Sequence, residues 1–547
     1  MLIVKESVNV FSCPRNPVFP KNRVSKSPLA APSMQELEYI LKTPISHRKD
    51  CGQFFTPPSV ARLMAKWITK DDPQSILDPA FGLGIFYDAI HQINPDKNFQ
   101  FTAYEIDKLI LSYLDFHRNQ KNLKLINSDY LEANLNSYDG IICNPPYMRF
   151  QKFLSRHDVL PKIEKQIGKN LVGYSNIASV FLVKSLNELK PNGRLAFIMP
   201  FEFFNTGYGK EIKKSLLHNG LLKQIVIFAN EKDIFPEATT TVCVLLCKND
   251  GRTESIKIAR INTNEEINRL SDLSDFYQFK IDSSDLPYTQ KWTPIILSLF
   301  STRQLPPDLV TFSLYGAFKR GIATGANDFF ALSKSTVEEL NIDENNCCKC
   351  ITKSQQITTA IFKENDFKAL SDADKPIYCL DVKDEDNLAI INYIERGEKL
   401  GYHQRFITKN RNPWYKIESR KPAPILFGVF NRGRLKVIRN LTTAVNFTCF
   451  HGFYPNMFGQ LLIDKLFVYL LSEVGQEIIK TNKRSYGDNL DKFEPGDLNE
   501  SLCPNQSQFA MIKDREALEV INIAKTDEQL AIKTSNDLIN KILDPTD

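Results

Sequence analysis

The chain has 547 residues, 42% of them apolar and 24% charged, which exceeds one typical domain and predicts two or three with cores of their own. A net charge of +5 names no partner, so the distribution of charge matters more than its sum. Eleven scattered cysteines fit a reducing compartment better than a disulfide framework, and with no membrane-length apolar run and no signal-peptide core a cytoplasmic protein is expected.

Residues 1 to 33 carry Pro14, Pro17, Pro20, Pro28 and Pro32 among lysines and arginines, and read as an extended tail. A short helix suits residues 34 to 42. Gly52-Gln53-Phe54-Phe55-Thr56-Pro57-Pro58 leads into residues 59 to 67, whose apolar spacing predicts an amphipathic helix started by the threonine and prolines. A helix N-terminus with a hydroxyl beside it suits a carboxylate. A short apolar strand then ends at Asp78, and the chain turns through Pro79, Ala80, Gly82 and Gly84 into a helix near Phe86. Glycines in G-x-G spacing either let a ligand approach the backbone or relieve crowding between strand and helix. The next strand, residues 99 to 104, leads to Glu105, about 27 residues after Asp78, where an acid can accept hydrogen bonds from both hydroxyls of a ribose. A third strand, 123 to 127, ends at Asp129, placed to accept from an adenine amino group.

The apolar run 139 to 143 delivers Asn144-Pro145-Pro146-Tyr147 to its C-terminal end. The Asn144 carboxamide oxygen and the Pro145 carbonyl are neighbouring acceptors, no proline N–H answers them, and Tyr147 offers a flat face. Such a pair suits an NH2 on a planar conjugated system: adenine N6, cytosine N4 or a glutamine amide. Alone, the tetrapeptide is equally a turn after a buried strand. Asp78, Glu105, Asp129 and Asn144 at the ends of four successive strands favour a site, because open α/β sheets carry their chemistry there.

Residues 176 to 189 read as a helix, followed by the turn Pro191-Asn192-Gly193 and strands at 194 to 199, 224 to 228 and 241 to 247. Phe235, on the loop joining the last two, is either a second aromatic for a bound ring or a hydrophobic plug. This alternation predicts an α/β fold with a doubly wound, mostly parallel sheet over residues 34 to 250. Residues 251 to 300, rich in Asn, Ser and Asp, read as a linker to a domain spanning 301 to 547. There, ten cations between 405 and 439 (Arg405, Lys409, Arg411, Lys416, Arg420, Lys421, Arg432, Arg434, Lys436 and Arg439) stand against one acid, Glu418, with Phe406, Trp414, Tyr415, Phe427 and Phe430 interleaved. Such a run is either a solvated face or a surface that neutralises phosphates, with a few members reading base edges. Cys347-Cys348-Lys349-Cys350 looks like half a zinc site without a second half, and no metal is expected.

These motifs resemble the class I S-adenosylmethionine-dependent methyltransferases that modify DNA amino groups. The closer likeness is to the gamma-group, TaqI-like N6-adenine enzymes of type II restriction and modification systems. It rests on FTPP (55–58), DPAFGLGIF (78–86), YEID (104–107), SDYL (128–131), NPPY (144–147) and IFPEATTT (234–241), in family order across roughly residues 50 to 250. The resemblance implies a Rossmann-like catalytic domain and a C-terminal α+β target recognition domain, whose start and end look like residues 319–330 and 483–498. It implies that Thr56 and the loop of Asp78, Pro79, Ala80, Gly82 and Gly84 hold the methionine part of S-adenosylmethionine, Glu105 its ribose and Asp129 its adenine. Asn144, Pro145 and Pro146 would grip the target amine, Tyr147 and Phe235 would stack on its base, and the ten cations would contact double-stranded DNA. Phe81 departs from the pattern, in a slot that is more often small or polar.

The reaction implied is direct methyl transfer to N6 of a flipped-out adenine, by a monomer, protecting DNA from a cognate restriction endonuclease carried on another chain. N4-cytosine methylation asks the same of the tetrapeptide. Protein-glutamine methylation also uses NPPY, but the basic C-terminal half and FTPP argue against it. A catalytically silent DNA-binding specificity subunit is opposed by the intact NPPY and the acids of the cofactor site.

Overall fold

The computed structural model describes residues 34–147, 156–168, 176–205, 209–229, 234–235, 241–300, 308–486 and 490–543. The expected N-terminal tail and most of the IFPEATTT motif lie outside them. No helix among the described residues is long and apolar enough to cross a membrane. The chain divides after Phe300 into two compact units.

In the first unit β1 (Ser75–Asp78), β2 (Gln100–Tyr104), β3 (Leu123–Ile126), β4 (Tyr138–Cys143), β5 (Leu189–Pro200), β6 (Leu222–Phe228), β7 (Val242–Lys248), β8 (Ile256–Ile261) and β9 (Phe279–Ile281) form one sheet. Its order is β3-β2-β1-β4-β5-β7-β6-β8-β9. The run from β3 to β5 is parallel, and β7 lies antiparallel between β5 and β6. Because successive side chains of a strand point to opposite faces, Ile76 and Leu77 enter different cores, one with Trp67 and Phe101, the other with Phe181 and Phe197. The helix Pro58–Ile68 packs on the first core, and Ile177–Asn187, buried over almost its whole length, on the second. From β1 the chain runs outward through β2 and β3, then returns to β4 on the other side. Asp78 and Asn144 therefore stand at the point where strand order reverses, the usual ligand crevice of such sheets.

Residues 251 to 300 are not a linker. They supply β8, parallel to β6, and β9, together with the helices Asn264–Arg269 and Trp292–Ser298. Ile256, Ile258 and Ile261 are buried while Lys257 and Arg260 are less so, a strand pattern hidden by polar flanks. The flanks are themselves tied in: the buried Gln224 amide donates to the carbonyls of Leu273 (2.9 Å) and Phe276 (2.7 Å).

The second unit is α+β. A five-stranded sheet runs Gly316–Arg320, Phe450–Pro455, Ile425–Gly428, Val437–Asn440 and Ile361–Phe362. Helices Ile463–Leu471, Asp514–Ala524 and Glu528–Leu543 share a core with it. The cysteine run is a strand, Cys347–Ile351, with Cys348 directly opposite Cys379 on the neighbouring strand and Cys350 buried.

Candidate active site

A cavity opens over the ends of β1, β2 and β4, walled by Thr56, Pro79, Ala80, Gly82, Glu105, Ile106, Asp129, Asn144, Pro145 and Pro146. Its floor is the turn after β1. The amide of Ala80 donates to Asp78 Oδ1 (3.1 Å), and Asp78 Oδ2 is buried with no hydrogen-bond partner among the described residues. Asp78 stands behind the wall and does not line it, so it acts on the cavity through the turn and through its charge. Burial raises its carboxyl well above the ordinary range, with the neighbouring Glu105 adding to the effect. The two glycines divide the roles that the spacing left open. At Gly82, with φ of +55°, an added Cβ would meet nothing within 4 Å, so the backbone there is bare toward open space. At Gly84, with φ of +85°, it would come within 2.7 Å of His117 Nε2, so this glycine lets the helix Ile85–Ile93 start against a buried imidazole. Phe81 explains its own departure from the pattern: its ring is buried edge-on to Phe101, Tyr87 and His117, plugging the core under the turn.

Glu105 follows β2 and is nearly buried; its two oxygens accept from the amides of Gly82 (2.9 Å) and Asp107 (2.8 Å). Burial raises its carboxyl too. Asp129 caps the short helical turn Tyr130–Glu132 through the Leu131 amide (2.8 Å). Two contributors escaped the sequence reading. Ile106 is 63% exposed on the cavity wall, an apolar surface between Glu105 and Asp107 that a planar ring can cover. Asp107 accepts from Gln53 Nε2 (2.6 Å) and lies 2.9 Å from His47 Nε2, clasping the segment before FTPP to the end of β2. An acid two residues after the ribose position was the available signal.

The NPPY tetrapeptide is held from one side. Asn144 Nδ2 donates to the Phe54 carbonyl (2.8 Å) and to Thr56 Oγ1 (3.0 Å), which fixes the amide orientation. Asn144 Oδ1 is then left buried and without a partner among the described residues. Thr56, buried on the cavity wall beside the start of Pro58–Ile68, thus positions Asn144 and keeps its hydroxyl proton available to a carboxylate. The Tyr147 amide donates to the Gly52 carbonyl (3.1 Å), and its ring stands edge-on to Phe54 at 5.6 Å, off the cavity wall. Phe235 is 5% exposed, packs edge-on to Phe228, 5.3 Å away, and does not line the cavity.

In the second unit the ten cations do not form one surface. Arg411 donates to the carbonyls of Ala323 and Thr324, Arg434 to Leu471, and Lys436 to Ser354 and Ile357. Arg439 is paired with Asp464 (2.9 Å) and Arg420 with Glu418 (2.6 Å). Burial lowers the pKa of Arg411, Arg434 and Lys436, as expected for cations spent on buried carbonyls. Arg405, Lys409, Lys416, Lys421 and Arg432 remain exposed. Lys436→Ala is therefore expected to cost about 1–3 kcal/mol, by stranding two carbonyls, and to show in the thermal midpoint. Lys421→Ala and Arg432→Ala should leave that midpoint unchanged and each flatten the salt dependence of DNA binding by about one unit of slope.

The parallel sheet, the reversal point and the wall of acids and bare glycine define a class I S-adenosylmethionine-dependent methyltransferase. The donor set suits that cofactor: Asp78 keeps one buried oxygen without a partner among the described residues behind the turn, and Glu105, Ile106 and Asp129 stand on the cavity wall. A family model described as N-6 DNA Methylase matches residues 35–284, and one described as the C-terminal domain of type II methyltransferase M.Eco57I matches residues 289–543. Type II methyltransferase M.AccI of Acinetobacter calcoaceticus is 34% identical, covering 93% of this chain and 95% of that protein. M.XamI of Xanthomonas campestris pv. amaranthicola is 24% identical over 85% of this chain and 88% of its own. Among solved structures, the type IIL restriction-modification enzyme MmeI in complex with DNA shares the fold, with a TM-score of 0.54 at 12% identity, covering 86% of this chain and 70% of that one. The chain belongs to the type II DNA methyltransferases of restriction–modification systems.

Proposed function

We propose that the protein methylates N6 of one adenine within a specific duplex sequence, after flipping that base out of the stack, and so shields DNA from an endonuclease of the same specificity. The observation that carries the reading is Asn144 Oδ1, buried and unpartnered while its own Nδ2 is clamped by Phe54 and Thr56. An acceptor kept dry and aimed in advance is what an exocyclic amine requires. With the Pro145 carbonyl it takes the two amine hydrogens and draws the nitrogen lone pair out of conjugation with the ring. Bound in the cavity, S-adenosylmethionine supplies a methyl group already activated on a sulfonium. The residues of this chain therefore align and polarise the acceptor: the new N–C bond replaces the methyl C–S bond, and one of the two amine protons held by Asn144 Oδ1 and the Pro145 carbonyl is then lost to solvent. Tyr147, partly buried at the edge of the tetrapeptide with its hydroxyl unpartnered among the described residues, is assigned to the face of the flipped base. The match to the N-6 DNA Methylase model supports adenine over cytosine.

Expression in a host without DNA methylation, followed by sequencing that distinguishes modified bases, tests this. Expected is N6-methyladenine confined to one short motif, with that DNA resistant to an endonuclease cutting there. N4-methylcytosine in the motif would transfer the mechanism to cytosine.

A further inference from the structure

The helix Ile45–Asp50 brings two metal-ligating side chains against the acid that follows β2. Cys51 N donates to the His47 carbonyl (2.9 Å), so the helical turn runs on to Cys51 and the two residues, four apart, share one face. Cys51 Sγ lies 3.8 Å from His47 Nε2, and the same nitrogen lies 2.9 Å from Asp107 Oδ2. All three donor atoms fall within 4.8 Å of one another. Asp107 is itself held in aim: Oδ1 accepts from the Leu109 amide (2.9 Å) and Oδ2 from Gln53 Nε2 (2.6 Å), while the Gln53 side-chain oxygen accepts from the Tyr39 hydroxyl (2.8 Å). A hydrogen bond between His47 and Asp107 would suffice to clasp the segment to the sheet. It leaves unexplained why a thiol converges on the same nitrogen.

Sulfur, imidazole and carboxylate together are a donor set for zinc and not for magnesium or calcium, which take oxygen ligands. Bonds of about 2.3 Å to sulfur and about 2.0–2.1 Å to nitrogen and oxygen, at tetrahedral angles, put S···N at about 3.6 Å and N···O at about 3.3 Å. Closing the first observed pair and opening the second, each by less than about half an ångström, therefore reaches coordination geometry. We propose that His47 Nε2, Cys51 Sγ and Asp107 Oδ2 form a site for one Zn2+, with water as the fourth ligand and Gln53 and Tyr39 as an outer shell behind the carboxylate. The His47 side chain is 38% exposed, which gives the ion its way in from solvent. On binding, the thiol loses its proton to solvent and the imidazole carries its own on Nδ1. In the sequence His47 and Cys51 carry no such message, because their third partner stands beyond the next two strands. The place of the ion in the fold gives it a task. The Gly52 carbonyl accepts from Tyr147 N, and the Phe54 carbonyl and Thr56 Oγ1 accept from Asn144 Nδ2. Zn2+ staples the strip that carries those acceptors to the end of β2 and takes no part in methyl transfer. The site stands whatever the cavity methylates.

The test strips the full chain of metal, then measures Zn2+ binding by competition with a chromogenic chelator and Co2+ binding by absorption. One Zn2+ equivalent is expected, weakened at least about a hundredfold in both His47→Gln and Cys51→Ser, as much as or more than the loss of an outer-shell partner brings. Both substitutions are mild: glutamine keeps a donor for Asp107, and serine is close to the thiol in size. The Co2+ form should show a sulfur-to-metal charge-transfer band that Cys51→Ser abolishes and that Cys348→Ser, in the thiol-bearing strand of the second unit, leaves in place. Zn2+ at about a hundredfold excess over the wild-type Kd should raise the wild-type melting temperature by about 5 °C and that of either variant by less than half as much. A metal-stripped chain that takes up no Zn2+ overturns the site. So does uptake that is unchanged in either variant, which would place the ion elsewhere.

Discussion

Replacing Asn144 with alanine will slow single-turnover methylation by about 10³-fold while leaving S-adenosylmethionine affinity within a few-fold of wild type, the size of effect seen when one pre-aimed polar group is removed from a transition state. The asymmetry follows from the geometry. Asn144 Oδ1 has no partner to lose, whereas its Nδ2 is already committed to Phe54 and Thr56. The oxygen therefore contributes to the reacting complex and little to the resting one. Asn144→Asp should not rescue, because a second oxygen would face the Phe54 carbonyl where a donor now sits. Thr56→Val separates its two assignments. If the hydroxyl mainly braces Asn144, the rate falls about tenfold with affinity kept; if it mainly holds a carboxylate, affinity falls instead. An Asn144→Ala enzyme that turns over within threefold of wild type would remove the amide from the mechanism.

The second large effect belongs to Asp78. Its carboxyl is fully buried, half-satisfied and raised well above the ordinary range, chiefly by desolvation. Such a group contributes stability that is complete below the ordinary carboxylate range and is lost as pH rises through its elevated folded value. In the protein without cofactor Asp78 is thus a burden on the alkaline side, and Asp78→Asn should melt higher than wild type there. A cation brought against the turn reverses the preference and favours the ionised form. Cofactor binding then releases a proton, so affinity should rise with pH until the elevated value is passed. In Asp78→Asn the affinity should fall about 10- to 100-fold, one to two powers of ten for the loss of a charge behind the turn, and its pH dependence should flatten. Calorimetry in buffers of different ionisation enthalpy reads the proton directly. Wild-type affinity independent of pH would contradict the account.

The part of this architecture legible in the sequence is the part made by short-range rules. Asp78, Glu105, Asp129 and Asn144 each follow an apolar run, and the turn residues after them mark strand ends, so the alignment of four polar ends across β3-β2-β1-β4 was predictable before any coordinate. What escaped was set by distant partners. Lys436 and Lys421 look alike in a charge count, but only the first meets the Ser354 and Ile357 carbonyls, about eighty positions away. Gly82 and Gly84 share a motif, yet one faces open space and the other His117, a residue supplied by a later helix. β8 hid because its isoleucine alternation is short and its flanks are polar; the buried Gln224 amide that collects those flanks is an internal contact no window can see. Phe235 is a further contact that spacing could not supply: its ring packs edge-on to Phe228.

The most direct test of the central claim is to incubate the purified protein with S-adenosylmethionine labelled in its methyl group and mixed-sequence duplex DNA, then digest to nucleosides. The account predicts label in N6-methyldeoxyadenosine, incorporated about 10³-fold more slowly by Asn144→Ala. Label in protein glutamine, with none in any DNA nucleoside, would contradict it.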